Sequence, residues 1–333
     1  MSENRVRICD IAEELGLSTA TVSYVLHGKT GKVSKETARR VMALLEERRY
    51  LPGVAELLLA RNPSKLVGVV VNDHEKYEEH ALEDSFIAST LNALSAEMAG
   101  NDLQMLVKRT TDIQEIETFS TMWNLEGLVL IGFCAQDYAR LRERVRVPFV
   151  VYDGCGMTAE RSCFINIDDR QGGFLVGDHF RRCGHRRALC VSDNNIGMDR
   201  ERWRGFCAGF GDGASHMLIP MHRASRMAFY RERVEEIREY TAIFAVSDHY
   251  AVELMHFLCE QGISVPEEIS VAGFDDASLC RAIYPPLTSV RQDAARRAQV
   301  AVEMLRRLRR GEEVEPQITL PVTLIPRAST RCL

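Results

Sequence analysis

The chain has 333 residues, a formal net charge of −5 and 46% hydrophobic residues, which is enough length for two or three domains with large buried cores. With 27% charged residues the composition is that of an ordinary globular protein, and it excludes a disordered, collagen-like or coiled-coil chain. No apolar run reaches the roughly 18 residues that a membrane span requires, and the amino terminus lacks an apolar signal-peptide core, so we expect a cytoplasmic protein that contacts no membrane. Because none of the ten cysteines forms a CxxC pair, we expect neither a disulfide framework nor a zinc site.

Basic residues are concentrated at the amino terminus. Residues 1–65 contain eleven Lys or Arg residues against eight Asp or Glu residues, a local charge of +3 that leaves −8 for the remainder. This asymmetry favours a small module that binds a polyanion, joined to a larger domain that does not.

Three helices are predicted in the first 50 residues. Apolar residues recur at helical spacing in three stretches: Ile8, Ile11, Ala12 and Leu15, then Val22, Val25 and Leu26, then Ala38, Val41, Met42 and Leu45. Gly16 favours the left-handed backbone that ends a helix, and Ser18 and Ser34 can cap the second and third helices. A helix, a turn containing glycine and a second short helix form the helix-turn-helix signature, whose second helix can lie in the major groove of DNA.

The face of the second helix that points away from this core is expected to meet base edges. Thr19, Ser23 and Tyr24 can form hydrogen bonds there, and the Ala20 methyl group can contact a thymine methyl group. Basic residues in the arm and in the following loop would bind phosphate and set the register on the duplex. A three-helix protein-interaction module would show the same helical pattern.

From residue 66 the pattern changes to short apolar runs separated by helical stretches. A first set of runs lies at 66–71, 103–107, 127–131 and 149–152, and a second set at 164–167, 188–191, 217–219, 243–246 and 270–273. Strands that alternate with helices predict doubly wound parallel sheets, and two sets predict two similar lobes.

Polar residues follow these strands, at the edge where open parallel sheets bind ligands. They include Asn72, Asp73, Asp153, Asp169, Asp193, Ser247, Asp248 and Asp275. Carboxylates there can accept hydrogen bonds from vicinal sugar hydroxyls or ring N–H groups. A single acid in such a place is more often a helix cap or turn residue, but repetition at several strand ends favours a ligand-binding cleft.

Several segments occur in a characteristic order. They are VRICDIA at 6–12, LSTATVSYVLHG at 17–28, RYLP at 49–52, IDDRQGG at 167–173, FAVSD at 244–248 and LIPRAST at 324–330. In this order and spacing the chain resembles the LacI/GalR family of transcriptional repressors, and its larger part is similar to the periplasmic sugar-binding fold. The resemblance implies that the segment after Pro52 is a hinge that pairs across a dimer and pushes a leucine, here Leu59, into the minor groove.

Three positions depart from the family pattern. Gly53 and Glu56 stand where asparagine and alanine are usual in the hinge, and Tyr24 stands where many relatives carry arginine. A carboxylate facing DNA is unfavourable, and tyrosine cannot grip guanine with two hydrogen bonds, so the family's half-site sequence is not carried over. The alternative for residues 57–59 is an apolar linker that packs on the next domain.

Two sets of site residues follow. The predicted DNA-binding residues are Arg7, Thr19, Ala20, Thr21, Ser23, Tyr24, His27, Lys29, Lys32 and Leu59. The predicted effector-binding residues are Asn72, Asp73, Asp153, Arg200, Arg202, Ser247, Asp248 and Asp275, of which the resemblance implies Asp153, Arg200, Arg202, Ser247 and Asp275. Trp203 can either stack on a planar ligand or cover the core of its lobe. His74 and His80 lack the spacing of paired metal ligands and are interpreted as part of a solvated acidic loop.

We therefore predict an α/β fold with an amino-terminal helix-turn-helix DNA-binding domain (1–50), a hinge helix or linker (51–65) and a two-lobed, doubly wound parallel-sheet effector-binding and dimerisation domain (66–333). Lobe 1 is predicted to span about 66–162 plus 292–318, and lobe 2 about 163–291 plus 319–333.

The predicted function is transcriptional regulation by a homodimer, as a repressor that binds near-palindromic operator DNA under the control of a sugar, sugar phosphate, nucleoside or purine. We expect no cofactor, no metal and no enzyme activity, because no nucleophile–base or acid–base motif is found. The alternatives are a soluble sugar-binding receptor without DNA regulation, and an activator or global regulator controlled by a partner protein.

Overall fold

The computed structural model describes residues 6–26, 32–48, 64–133, 135–154 and 161–333. The chain divides into two compact units, Met1–Ser64 and Lys65–Leu333. Within the described ranges every helix is too short or too polar to span a bilayer.

The first unit is a three-helix cluster. Its helices are α1 (Ile8–Leu15), α2 (Thr19–Leu26) and α3 (Lys35–Glu47). Gly16 ends α1 with a left-handed φ of 65°, as predicted. Ser18 accepts a hydrogen bond from the Thr21 amide at 3.1 Å, and Ser34 accepts one from the Thr37 amide at 3.1 Å, so both predicted caps are present.

The buried face of α3 differs from the prediction at one position. Met42 is 56% exposed, and Leu44 is buried beside Val41 and Leu45 instead. Positions 42 and 44 flank the same helical stripe, so spacing alone does not decide which of them faces the other two helices.

Two six-stranded sheets form the second unit. The first contains β1 (Leu66–Val71), β2 (Gln104–Arg109), β3 (Gly127–Ile131), β4 (Phe149–Tyr152), β5 (Ser162–Ile167) and β11 (Gln317–Leu320) in the order β11-β5-β4-β3-β1-β2, all parallel. The second contains β6 (Ala188–Ser192), β7 (Ala214–Leu218), β8 (Ala242–Ala245), β9 (Ser270–Asp275), β10 (Thr288–Arg291) and β12 (Thr323–Ile325) in the order β12-β10-β9-β8-β6-β7, with only β12 antiparallel.

The helices of this unit lie between the strands in the chain. They are α4 (Ser85–Gly100), α5 (Ile113–Met122), α6 (Ala135–Arg144), α7 (Asp169–Arg182), α8 (Gly197–Phe210), α9 (Arg223–Glu232), α10 (Val234–Ile237), α11 (Asp248–Glu260) and α12 (Ala294–Arg309), with 3₁₀ turns at Glu75–Tyr77, Ala81–Glu83 and Ser278–Arg281. The α/β class with a helical amino-terminal unit and two parallel-sheet lobes is therefore confirmed.

The predicted lobe boundaries need correction. Strand β5 was predicted to open the second lobe, but it lies in the first sheet between β4 and β11. Strand β11 also lies wholly in the first sheet, so the chain returns to the second lobe after Leu320. An apolar run shows that a strand is buried on both faces, but not which sheet supplies its neighbours.

A disulfide also departs from the prediction. Cys183, at the end of α7, is bonded to Cys332, which lies 149 residues further along the chain. The tail reaches this place because Ser329 is hydrogen-bonded to both the Thr288 amide and the Val271 carbonyl of the second sheet. Sequence spacing cannot indicate a pair that is brought together by such distant contacts.

Helices α7 and α8 pack with their backbones in direct contact. Gly173 and Gly177 of α7 face Gly205 and Gly209 of α8, and each pair has the four-residue spacing of one helix face. A Cβ atom on Gly205 would overlap the Arg170 carbonyl group, and one on Gly173 would overlap the Arg202 carbonyl group. Only glycine permits this approach, which brings the first turns of α8 to the carboxyl edge of the second sheet.

Gly205→Ala is expected to destabilise the second unit by about 2 kcal/mol or more, because the methyl group forces two backbones apart. Urea unfolding monitored by tryptophan fluorescence measures this, since Trp123 and Trp203 both lie in that unit. Gly100→Ala is the control, because no atom lies within 4 Å of its added Cβ. Equal unfolding midpoints for the two variants would contradict the packing argument.

Candidate functional site

Helix α2 presents a polar face opposite its buried one. Val22 and Val25 are buried in the three-helix core, whereas Thr19 and Ala20 are exposed. Ser23 and Tyr24 are half-buried on the neighbouring positions. This face carries hydroxyl and methyl groups that can contact base edges, as in the second helix of helix-turn-helix domains.

Cations flank this face. The Lys32 ammonium group lies 5.3 Å from the centre of the Tyr24 ring, a cation–π distance that places a positive charge beside the predicted reading helix.

Two other predicted DNA-binding residues have partners at helix starts. The Arg7 guanidinium is 3.3 Å from the Asp10 carboxylate, while the Arg7 amide donates to the same carboxylate at 2.7 Å and lowers the pKa of Asp10. The Thr21 hydroxyl lies 2.9 Å from the Ser18 hydroxyl, within the cap of α2.

Part of the predicted DNA-binding set lies outside the described residues. These positions are His27, Lys29 and Leu59, together with Gly53 and Glu56 of the predicted hinge.

A buried arginine occupies the carboxyl edge of the second sheet. Arg202 donates from Nε to Asp169 at 2.8 Å and from a terminal nitrogen to the Val246 carbonyl at 2.7 Å, and its guanidinium lies 3.7 Å from the centre of the Phe274 ring. Burial disfavours the charge, but three carboxylates, first Asp169 and then Asp275 and Asp199, outweigh burial and raise the pKa of Arg202. Arg202 therefore remains a cation in the cleft.

The two lobes are joined behind this arginine by a hydrogen-bonded chain. Gln292 donates to Asp275 of lobe 2 at 2.6 Å and accepts from Arg297 at 3.1 Å. Arg297, only 2% exposed, donates to Asp153 of lobe 1 at 2.6 Å. Burial raises the pKa of Asp275, although Arg202 opposes that shift.

A pair of carboxylates lies nearby in lobe 2. Asn194 donates to Asp193 at 2.9 Å and to Asp199 at 2.7 Å, and the Tyr250 hydroxyl donates to Asp193 at 2.9 Å. Burial raises the pKa of Asp199 to about 7; Arg202 opposes this shift and Asp193 adds to it. The pair can accept hydrogen bonds from a ligand and can hold a proton near neutral pH.

A lysine of lobe 1 interacts with this pair. Burial lowers the pKa of Lys76, but Tyr77 and then Asp193 and Asp199 outweigh burial, and the net direction is upward. Its ammonium group lies 4.8 Å from the centre of the Tyr77 ring. The cleft thus contains charged groups from both lobes.

The predicted effector-binding residues divide into two groups. Asp153 and Asp275 are linked at the junction of the lobes through Gln292 and Arg297, and Arg202, hydrogen-bonded to Asp169, interacts electrostatically with Asp275. Arg200 instead points to solvent, 3.6 Å from Glu201, because residues two apart on a helix face opposite ways.

The other predicted residues have local partners. Asp248 is 0% exposed and accepts hydrogen bonds from the Ala277 amide, Cys280 and Ser289, which together hold the loop after β9. Ser247 caps α11 by accepting from the Tyr250 amide, Asn72 donates to the Gly132 carbonyl, and Asp73 is ion-paired with Arg109.

Several cleft residues were missed or not singled out. Asp169 and Asp193 followed predicted strands, a signal that was available, but Lys76, Gln292 and Arg297 lie outside any motif. Trp203 covers its lobe's core, since it stacks on His216 at 4.8 Å and lies 6.1 Å from Phe206. In the part of the chain that the structure describes, no three His, Cys, Asp or Glu residues are grouped to hold a metal ion.

Comparison with known proteins matches both units. Residues 7–53 match the bacterial regulatory proteins of the lacI family, and residues 177–330 match the periplasmic binding protein-like domain. The chain therefore carries a lacI-family domain and a periplasmic binding protein-like domain. The resemblance stated from sequence is therefore confirmed.

LacI-family relatives match along nearly the whole chain. An HTH-type transcriptional repressor PurR of Haemophilus influenzae is 28% identical over 98% of this chain and 99% of its own length. The PurR of Photobacterium profundum is 27% identical over 90% of each chain. A crystal structure of the lac repressor dimer bound to operator and an anti-inducer has a TM-score of 0.80 at 24% identity, covering 98% of this chain and 100% of the other, and shows the same fold.

The raised pKa of Asp199 predicts a pH dependence of stability. Since its folded pKa of about 7 exceeds its ordinary value of 3.8, its contribution to stability is present at low pH and is lost as pH rises through 7. Asp199→Asn cannot ionise but can still accept from Asn194, so its Tm relative to the unmodified chain should increase between pH 5 and pH 8. Differential scanning fluorimetry measures this, with exposed Asp212→Asn as control. A difference in Tm that stays constant across this range would contradict the assignment.

Proposed function

We propose that the chain is a transcriptional repressor that binds operator DNA as a homodimer and responds to a small molecule held between its two lobes. The observation that carries this proposal is the joining of a lacI-family DNA-binding unit at residues 7–53 to a binding protein-like unit in which Arg202 and Asp275 lie at the carboxyl edge of the second sheet. The relatives named as repressors span both units, which favours a regulator over a receptor that lacks DNA contact.

The cleft chemistry suits a hydroxylated or nitrogen-rich effector. Asp193 and Asp275 offer carboxylate oxygens to ligand donors, and the Arg202 cation lies among these carboxylates. Two structures of similar fold are described as a CelR–cellobiose complex, with a TM-score of 0.68, and as an Enterococcus faecium regulator with bound ribose, with a TM-score of 0.69. Sugars are therefore the first class of effector to test, followed by nucleosides and purines.

Control of DNA binding then requires a difference in affinity. An effector shifts the operator equilibrium only if it binds the DNA-competent and DNA-incompetent arrangements unequally. The chain of hydrogen bonds from Asp275 through Gln292 and Arg297 to Asp153 crosses between the lobes, so a ligand that contacts Asp275 acts on the lobe junction directly. We further propose a regulatory, cytoplasmic role without enzyme activity, supported by the repressor names of the relatives.

The DNA-binding face is tested by selecting a duplex from a random-sequence pool and measuring affinity by gel shift. Tyr24→Ala is expected to lower affinity for the selected duplex more than for a random one, because base contacts carry specificity. Lys32→Ala is expected to weaken both alike and to reduce the salt slope by about 1. Equal losses on both duplexes for Tyr24→Ala would remove Tyr24 from base reading, and a chain that selects no duplex would overturn the repressor role.

The effector cleft is tested by thermal-shift screening of the full chain against sugars, sugar phosphates, nucleosides and purines. A specific ligand raises the Tm by mass action. Asp275→Asn keeps an acceptor for Gln292 but turns the second carboxyl oxygen into a donor, and it is expected to abolish that shift while leaving duplex binding within about twofold. Asp212→Asn serves as control. An undiminished shift in Asp275→Asn would place the ligand elsewhere, and a screen without hits would favour regulation by a partner protein.

A further inference from the structure

We propose that residues 75–84 form a releasable strap that holds the two lobes together across the cleft, and that an effector enters the cleft when this strap is released. The part of the proposal that concerns the effector rests on the proposed function. The contacts that form the strap lie within the chain and involve neither DNA nor effector.

The strap supplies a helix cap to the opposite lobe. Helix α9 of lobe 2 begins at Arg223, and the residue before it, His222, makes no capping hydrogen bond with its own side chain. Glu78 of lobe 1 takes that role, because its Oε1 atom accepts from the Arg223 amide at 2.8 Å and lies 3.7 Å from His222 Nδ1. A carboxylate at a helix amino terminus is favoured both by the free amide and by the helix dipole.

Lys76 adds a longer-range attraction between the strap and lobe 2. Its ammonium group, carried by the 3₁₀ turn Glu75–Tyr77, lies 4.8 Å from the centre of the Tyr77 ring and is attracted electrostatically by the carboxylates of Asp193 and Asp199. The hydrogen bonds that other described residues donate to this pair come from the neutral groups of Asn194 and Tyr250. Lys76 therefore adds a positive charge from lobe 1 to the one that Arg202 supplies from lobe 2.

The strap is held in a backbone conformation that its own residues disfavour. Glu78 and Glu79 have φ values of 47° and 69°, in the left-handed region that side chains other than glycine rarely adopt. Besides the turn's own backbone hydrogen bonds, the Arg223 amide holds the Glu78 carboxylate and the Arg109 guanidinium holds the Glu79 carbonyl. Loss of the contact with lobe 2 removes one constraint on this strained turn, so release of the strap is favoured locally.

A releasable strap has a regulatory consequence. If an effector binds only the released form, its apparent affinity for the chain equals its intrinsic affinity for that form multiplied by the fraction of molecules in which the strap is released. Weakening the strap should therefore make the chain respond to lower effector concentrations, without any change in the residues that contact the effector.

Limited trypsin digestion of the effector-free full chain tests the strap, because Lys76 is the only tryptic position within residues 75–84. Cleavage by a protease follows the population of the opened form. We expect Glu78→Ala to increase the rate of cleavage after Lys76 by about three- to tenfold, the range for losing one capping hydrogen bond. Mass spectrometry of the fragments measures the rate at this peptide bond.

Glu79→Ala is the matched control, since Glu79 is the adjacent residue with the same left-handed backbone and only its main-chain carbonyl is engaged. Asp193→Asn is a second variant, which removes a carboxylate of lobe 2 that attracts Lys76 without touching Glu78. A cleavage rate that rises in Glu78→Ala and Asp193→Asn but not in Glu79→Ala supports the strap. Equal rates in Glu78→Ala and Glu79→Ala, or no increase in Asp193→Asn, would overturn it. Gel shift on the selected duplex measures DNA binding separately. A chain that binds the duplex but shows equal cleavage rates in Glu78→Ala and Glu79→Ala has no strap, although its repressor role stands.

Discussion

The effector cleft depends on one buried cation. Arg202 is held between Asp169, the Val246 carbonyl and the Phe274 ring, and it offsets the repulsion among the carboxylates around it. Arg202 opposes the upward pKa shifts that burial causes at Asp169, Asp199 and Asp275. Its position follows from the glycine contacts between α7 and α8, which bring the start of α8 to the sheet edge.

Two kinds of connection join the lobes, and they differ in how easily they break. The chain through Gln292 and Arg297 is buried and belongs to the strands and helix that cross between the lobes, so it acts as a permanent joint. The proposed strap, by contrast, lies on the surface of the cleft, and Glu78 makes its contact from an exposed loop. A permanent joint and a releasable contact together are what a cleft needs to change its closure on ligand binding.

Of the predicted residues that follow a buried strand, the structure brings two together at the lobe junction. Asp153 follows β4 of the first sheet and Asp275 ends β9 of the second, and the two are linked through Gln292 and Arg297. The prediction was less informative on helices: Arg200 and Arg202 were placed together, yet only Arg202 enters the cleft, because the two residues face opposite ways on α8. Lys76 was not found, since a loop residue between histidines and glutamates has no pattern that indicates where its side chain points.

Periodicity and strand–helix alternation by themselves determined the three-helix unit, the two sheets and the strand ends at which polar residues lie, because these follow from local backbone preferences and from which face of an element is apolar. The tertiary structure alone decided that β5 belongs to the first sheet, that Cys183 meets Cys332, and that Glu78 caps a helix of the opposite lobe. These three contacts join residues that are far apart in the chain or that carry no periodic signal. They therefore depend on how the helices and strands pack together, and not on how any single helix or strand forms.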